Sequence, residues 1–340
     1  MKNKQRIFYY DFLRAFAIIA VILCHVDGVY KFTTSSLKLA IPMLLNDIGL
    51  IGVPIFLMLS GALLLNKEYT LNEFLKKRFS RIIYPFIFWM ILTLIIGIFY
   101  FNWQQDYVLV VLFGNPAPAW YIWTLIGIYL FLPIINSFLK EYSLKGLEYF
   151  MIIWAFTLLL YTFHMYPFEK LELSYFAGFI GYPILGYYLD NKKFKLNDGL
   201  IMILGLIILL VSTFLHMVFS YYTIDVVSPM YLNITIVLQG IGLFLFLKYL
   251  DINSYNNSNF IFKLYKSMQD NIVGKIIISL SICSYAMYFI HFIVLKFVKQ
   301  YEIHSIKLLP LILIGTVCLS WLIAYISSKL PLIKEVSGVK

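Results

Sequence analysis

Charge is what this sequence has least of. Asp, Glu, Lys and Arg together make up 13% of the residues, about half the share of a soluble globular chain. That excludes an ordinary soluble enzyme or binding module. Cysteine is nearly as scarce. Cys24, Cys283 and Cys318 all fall in apolar stretches, so neither a disulfide framework nor a metal site is expected. No Gly/Ser-rich or Pro-rich linker divides the chain, and no internal repeat stands out at a fixed period. The expected organisation is therefore one membrane-embedded domain over residues 1–340 with no appended soluble domain.

What is present is apolar. Hydrophobic residues account for 61% of the chain and the mean hydropathy is +0.84, which points to an all-α, polytopic membrane protein. Runs of about 20 apolar residues recur at 8–29, 46–65, 82–101, 120–138, 147–163, 173–189, 199–220, 229–249, 276–298 and 308–329. About ten transmembrane helices are expected on that reading. The connection 102–119 reads as an interfacial or re-entrant piece, and 251–259 (DINSYNNSN) reads as a flexible loop. The first run mimics a secretory signal, but Asp11 and Arg14 interrupt it and no small-residue cleavage site follows. The helix is expected to be retained.

The formal charge of +10 needs no nucleic acid to explain it, because cytoplasmic loops of membrane proteins concentrate Lys and Arg. With a cytoplasmic N-terminus, twenty Lys and Arg fall in inner segments and six in outer ones, with Arg14 left inside the membrane. That asymmetry predicts cytoplasmic N- and C-termini, and the low cysteine count and Lys/Asn/Ile-rich composition are compatible with a prokaryotic plasma (cytoplasmic) membrane. The asymmetry also puts Arg14 in the cytoplasmic half of the first helix and His25 near the outer surface.

Ionisable groups at bilayer depth mark functional pathways, so the first helix draws attention. Arg14 and His25 are eleven residues apart, which brings them to nearly the same helical face, roughly 16 Å apart along the axis. Asp11 lies three positions before Arg14 and shares the stripe, so the two are expected to pair. In 66–85, Thr70 and Glu73 read as a capping box starting a short cytoplasmic helix. Lys76, Lys77, Arg78 and Arg81 follow where the third span enters the membrane. Such a cluster suits phosphate, or else simple anchoring to anionic lipid.

Ser60-Gly61 allows close helix packing, or offers Ser60 as a donor into a cavity. Trp120, Tyr121 and Trp123 form an interfacial aromatic belt or the wall of an acceptor site. Tyr288 and His291, one turn apart, form a structural pair or part of a catalytic site. His164, His216 and His304 are expected at outer loop edges as surface histidines. Asp27, Asp47, Glu169, Glu172 and Glu302 are the outer carboxylates that could orient a catalytic histidine.

The segment DFLRAFAIIAVILCH (Asp11–His25) resembles the first-helix signature of membrane acyltransferase family 3, an Arg and a His separated by ten residues. PIFLMLSG (Pro54–Gly61), KKRFSRIIYPFIFW (Lys76–Trp89), WYIWTLIGIYLFLP (Trp120–Pro133) and SYAMYFIH (Ser284–His291) resemble that family's further blocks, in the same order. The resemblance covers essentially the whole chain. It departs at the basic block, Arg-x-x-Arg here where some relatives have Arg-x-Arg.

The resemblance implies transfer of an acyl group, most often acetyl from acetyl-CoA, to a hydroxyl of an envelope glycan or lipid-linked sugar. His25 would then be general base or acyl carrier, with Arg14 beside the pantetheine arm. Arg78, Arg81, Lys77 and Ser60 would take the acyl-CoA, and Trp120, Tyr121, His291 and Tyr288 the acceptor. No metal is expected. A glycolipid or polysaccharide transporter or flippase is the alternative, since a polar stripe and aromatic rims also suit a sugar pathway. No inverted repeat or pair of broken helices supports it. A non-catalytic envelope scaffold is the third reading, and under it every residue of the stripe is replaceable.

Overall fold

A computed structural model describes residues 6–27, 44–104, 119–163, 173, 176, 178–222, 230–256, 259–300 and 306–339. Among these the helices are α1 (Phe8–Asp27), α2 (Gly52–Leu64), α3 (Leu71–Phe99), α4 (Ala119–Thr162), α5 (Gly181–Asn191), α6 (Asp198–Tyr222), α7 (Ile234–Asn256), α8 (Phe260–Asp270), α9 (Ile272–Lys299) and α10 (Leu309–Ser327). No strand occurs among the described residues. The chain is an all-α, polytopic membrane protein. Among the described residues, eight helical stretches are long and apolar enough to cross a membrane, the second of them running from Leu44 through α2.

The runs 120–138 and 147–163 are both helical, as expected. They lie within α4, a stretch of 44 residues, twice a bilayer's hydrocarbon thickness at about 1.5 Å per residue. Ser143, with φ 56° and ψ -154°, breaks it into two helices between those runs. Two other features depart from the expected spans. The run 173–189 contains α5, whose 11 residues are too few to span. The stretch expected as a loop at 251–259 is largely helix. α7 continues to Asn256, and Asp251, Asn253 and Ser254 are buried on it. Asp251 holds α8 by accepting hydrogen bonds from Tyr265 and Gln269. The connection 105–118 lies outside the described residues.

The chain forms two compact units. The first comprises Met1–Val21, Thr34–Asn66 and Ile135–Ser281, and the second Ile22–Thr33, Lys67–Ile134 and Ile282–Lys340. In the first, helices meet along small-residue seams. A Cβ on Gly61 would collide with the Pro183 backbone, and one on Gly186 with the Met58 backbone. That sets an antiparallel register for α2 and α5. α6 and α7 meet the same way, with Gly205 against Phe246 and Gly242 against Leu209. Without a water-driven force between helices in lipid, such close backbone approach supplies the packing.

The outward face of α6 is a row of exposed Leu, Ile, Val and Phe, as lipid contact requires. Lys248 is buried on α7. Its ammonium donates to the carbonyls of Leu189 (2.8 Å) and Asp190 (2.7 Å). Tyr9 of α1 hydrogen-bonds to Asp190.

In the second unit the Thr70/Glu73 capping box forms as expected, with both reciprocal bonds present. The helix it starts is not short, for α3 runs on for 29 residues. Pro85 removes one of its backbone donors. The Tyr285 hydroxyl donates to the Ile82 carbonyl (2.9 Å) in the turn that the proline disturbs. The segment after α10 folds back onto α3, where the Trp89 indole donates to the Ser337 carbonyl (2.9 Å).

Candidate active site

Helix α1 carries an acid, a base and an imidazole, and groups of that kind need partners in an apolar phase. In the first unit Asp11 is 4% exposed. Arg6 grips it with two donors, Nε to Oδ2 at 2.5 Å and Nη2 to Oδ1 at 2.8 Å. The Ser281 hydroxyl donates to Oδ1 at 2.6 Å, and Arg14 Nη1 donates to that hydroxyl at 3.3 Å.

Arg14 and Asp11 thus share Ser281 of α9 as a hydrogen-bonding partner. Arg6 pairs directly with Asp11, because its planar fork matches a carboxylate edge. That bond to Asp11 raises the Arg6 pKa further, against the opposing effect of burial.

In the second unit, His25 lies with its ring centroid 5.1 Å from that of His291, the planes inclined at 60°. His291 is fully buried on α9. A series of aromatic rings leads away from it. Tyr288 lies 5.8 Å from His291, Tyr121 5.2 Å from Tyr288, and Trp120 6.1 Å from Tyr121. Phe289 packs edge-on to Tyr288 and meets Phe86 of α3. His25, His291, Tyr288, Tyr121 and Trp120, separated by more than 260 positions in sequence, are therefore one cluster. An imidazole base within an apolar, aromatic wall is a setting for proton transfer with water excluded.

The basic residues form a second feature of the same unit. Arg78 is half-buried, with its guanidinium 6.0 Å from the Phe74 ring, while Lys77 and Arg81 are exposed. Tyr69 stacks on Phe74, and its hydroxyl is buried without a hydrogen-bond partner. Burial raises the Tyr69 pKa, and the nearby Arg78 charge opposes that shift. One half-buried guanidinium beside an unsatisfied hydroxyl, flanked by two exposed cations, fits a phosphoryl group.

Residues 7–325 match the model of the acyltransferase domain family. The chain belongs to the acyltransferase-3 family. The match takes in helices of both units, and it makes this protein a multi-pass membrane acyltransferase. No curated protein and no solved structure matches it.

Within this acyltransferase, other residues singled out in sequence have more local roles. Ser60 donates to the Phe56 carbonyl of its own helix at 3.0 Å, and the Gly61 seam shows why that step is small. Trp123 packs against Phe86. His216 is not a surface residue. It is buried on α6, where Nδ1 meets the Thr235 hydroxyl at 2.6 Å and Nε2 lies 3.5 Å from Asp47.

Asp47 therefore faces His216. His164, Glu169, Glu172, His304 and Glu302 lie outside the described residues, as does the side chain of Asp27. Ser281, Arg6 and Tyr69 were not foreseen. Ser281 lies ten residues before His291 on α9 as Arg14 lies eleven before His25 on α1, a parallel that sequence alone could have suggested.

Proposed function

We propose that this protein is an O-acyltransferase that moves an acyl group, acetyl by family resemblance, from cytoplasmic acyl-CoA to a hydroxyl of an extracytoplasmic or lipid-linked glycan. The observation that carries the reading is His25, the imidazole of the family's first-helix signature, set against buried His291 within a wall of tyrosines. Arg78, Arg81 and Lys77 meet the donor's phosphates, with the Tyr69 hydroxyl as a further contact. Arg14, steadied through Ser281 and Asp11, borders the pantetheine arm. Trp120 and Tyr121 offer flat apolar faces to a sugar.

His25 acts at the reacting carbonyl by one of two balanced routes. As a general base it takes the acceptor's hydroxyl proton. The oxygen then adds to the thioester carbon, the C–S bond breaks and the proton passes to sulfur. As a nucleophile it adds to that carbon itself and the thiolate leaves; the acceptor oxygen then displaces the imidazole, and its hydroxyl proton passes to the thiolate. In both, an ester C–O bond replaces a thioester C–S bond.

Purified protein incubated with labelled acetyl-CoA should bind it saturably. Arg14→Ala and Arg78→Ala should weaken that binding, and His25→Ala should leave binding intact while abolishing transfer. Normal transfer by a folded His25→Ala protein overturns the reading.

A further inference from the structure

The His291 ring is buried, yet it is bonded on one side only. Nδ1 lies 3.1 Å from the carbonyl of Met287, one turn earlier on α9. A carbonyl can only accept, so the hydrogen-bond network assigns the proton to Nδ1 and leaves Nε2 as a bare lone pair in the neutral ring. That nitrogen is buried and has no hydrogen-bond partner. Buried polar atoms in native proteins are nearly always satisfied, and an exception calls for an explanation. Tyr288 lies against the ring, with Phe289 packed edge-on to Tyr288, and the His25 imidazole faces it with centroids 5.1 Å apart.

We propose that His291 is a positioning residue for His25: its Nε2 lone pair accepts an N–H of the His25 ring when substrate is bound. This rests on His25 being the reacting imidazole. Catalytic hydrogen bonds are often open in the substrate-free state and tighten in the complex, so a small turn of the His25 ring closes this one.

The resulting chain runs from the Met287 carbonyl to His291 Nδ1–H, and from His291 Nε2 to the N–H of His25. It fixes the His25 tautomer and aims the other nitrogen's lone pair at the acceptor hydroxyl or the thioester carbon. When His25 gains a proton or an acyl group it becomes cationic, and the His291 lone pair stabilises the remaining N–H. His291 itself gains and loses no proton. A neutral imidazole thus does what a carboxylate does in a hydrolase triad, orienting the base without becoming protonated. An apolar setting favours the neutral version, since a buried unpaired carboxylate is far costlier than a buried imidazole.

The test compares His291→Leu, His291→Gln and His291→Asn in purified, monodisperse protein, with His25→Ala beside them. Transfer from labelled acetyl-CoA and equilibrium binding of the same donor are both measured. His291→Leu should lower kcat by roughly 10²–10⁴-fold, the contribution of a well-placed general base and, at its upper end, the loss when a triad base loses its orienting carboxylate, with donor binding unchanged. Gln carries an acceptor to the Nε2 position and Asn to the Nδ1 position, so Gln should recover most of the rate and Asn little.

If His291→Leu does not fold, the Gln–Asn contrast still decides. Equal rates in the two, or Asn above Gln, overturn the assignment, and so does wild-type transfer by His291→Leu. If wild-type protein transfers and His25→Ala does not, such a result removes His291 alone. Absence of transfer by the wild-type protein removes the functional reading with it.

Discussion

Two buried histidines in this protein are satisfied in opposite ways. In the first unit, His216 has a partner for each ring nitrogen. The Thr235 hydroxyl accepts from Nδ1 and donates to Asn233 Oδ1, and Asp47 Oδ1 lies 3.5 Å from Nε2. In the second unit, His291 has a backbone partner at Nδ1 and none at Nε2, with a second imidazole alongside. A buried histidine wired at both ends is part of the scaffold, cementing α6 to α7 where the glycine seam ends. One left open at one end beside His25 is, on the proposed function, placed to orient it. Burial alone does not separate these cases; the state of the second nitrogen does.

The comparison breaks most sharply at His25. His25→Ala should abolish detectable acyl transfer, a loss at or beyond the about 10²–10⁴-fold that a general base contributes. Membrane insertion should be retained, as read by labelled transfer in membranes and by detergent-extracted yield. Gly61→Leu comes next and acts on stability alone. It forces a side chain into the Pro183 backbone, so overpacking should cost about 1–3 kcal/mol or more. A lowered Tm in detergent checks it, and an unchanged Tm would mean that α2 and α5 do not approach as closely as described.

His216→Leu strands Thr235 and Asp47, an effect of about 1–3 kcal/mol, while the turnover of the surviving folded protein stays near wild type. If it instead loses turnover at full stability, the contrast between the two histidines fails. Thr70→Ala is the mildest. Loss of the N-cap on α3 should cost about 1 kcal/mol, visible as a small drop in Tm with no change in donor affinity.

Much of the helix pattern was legible because lipid imposes a simple rule, that a spanning segment is long, apolar and internally hydrogen-bonded. α1, α3, α6, α7, α9 and α10 follow their hydropathy. The failures came where length and polarity mislead. The polar run after residue 250 is largely helix, with Asp251 accepting hydrogen bonds from Tyr265 and Gln269 of α8, contacts that local composition does not register. His216 was misread as a surface residue since its partners, Asp47 and Thr235, come from other helices. The capping box at Thr70 was read correctly, being wholly local.

By itself the sequence determined that the chain is an all-α membrane protein, that a basic cluster precedes Pro85, and that Arg14 and His25 share one helix three turns apart. These follow from composition, from spacing and from the 3.6-residue period, none of which needs a neighbour. Only the tertiary structure decided which groups meet. It gave Asp11 to Arg6 and joined Arg14 to it through Ser281, it set Tyr69 beside Arg78, and it brought His291 to His25. Pairings across hundreds of residues depend on how helices pack, and packing is fixed by many shallow contacts at once rather than by any motif along the chain.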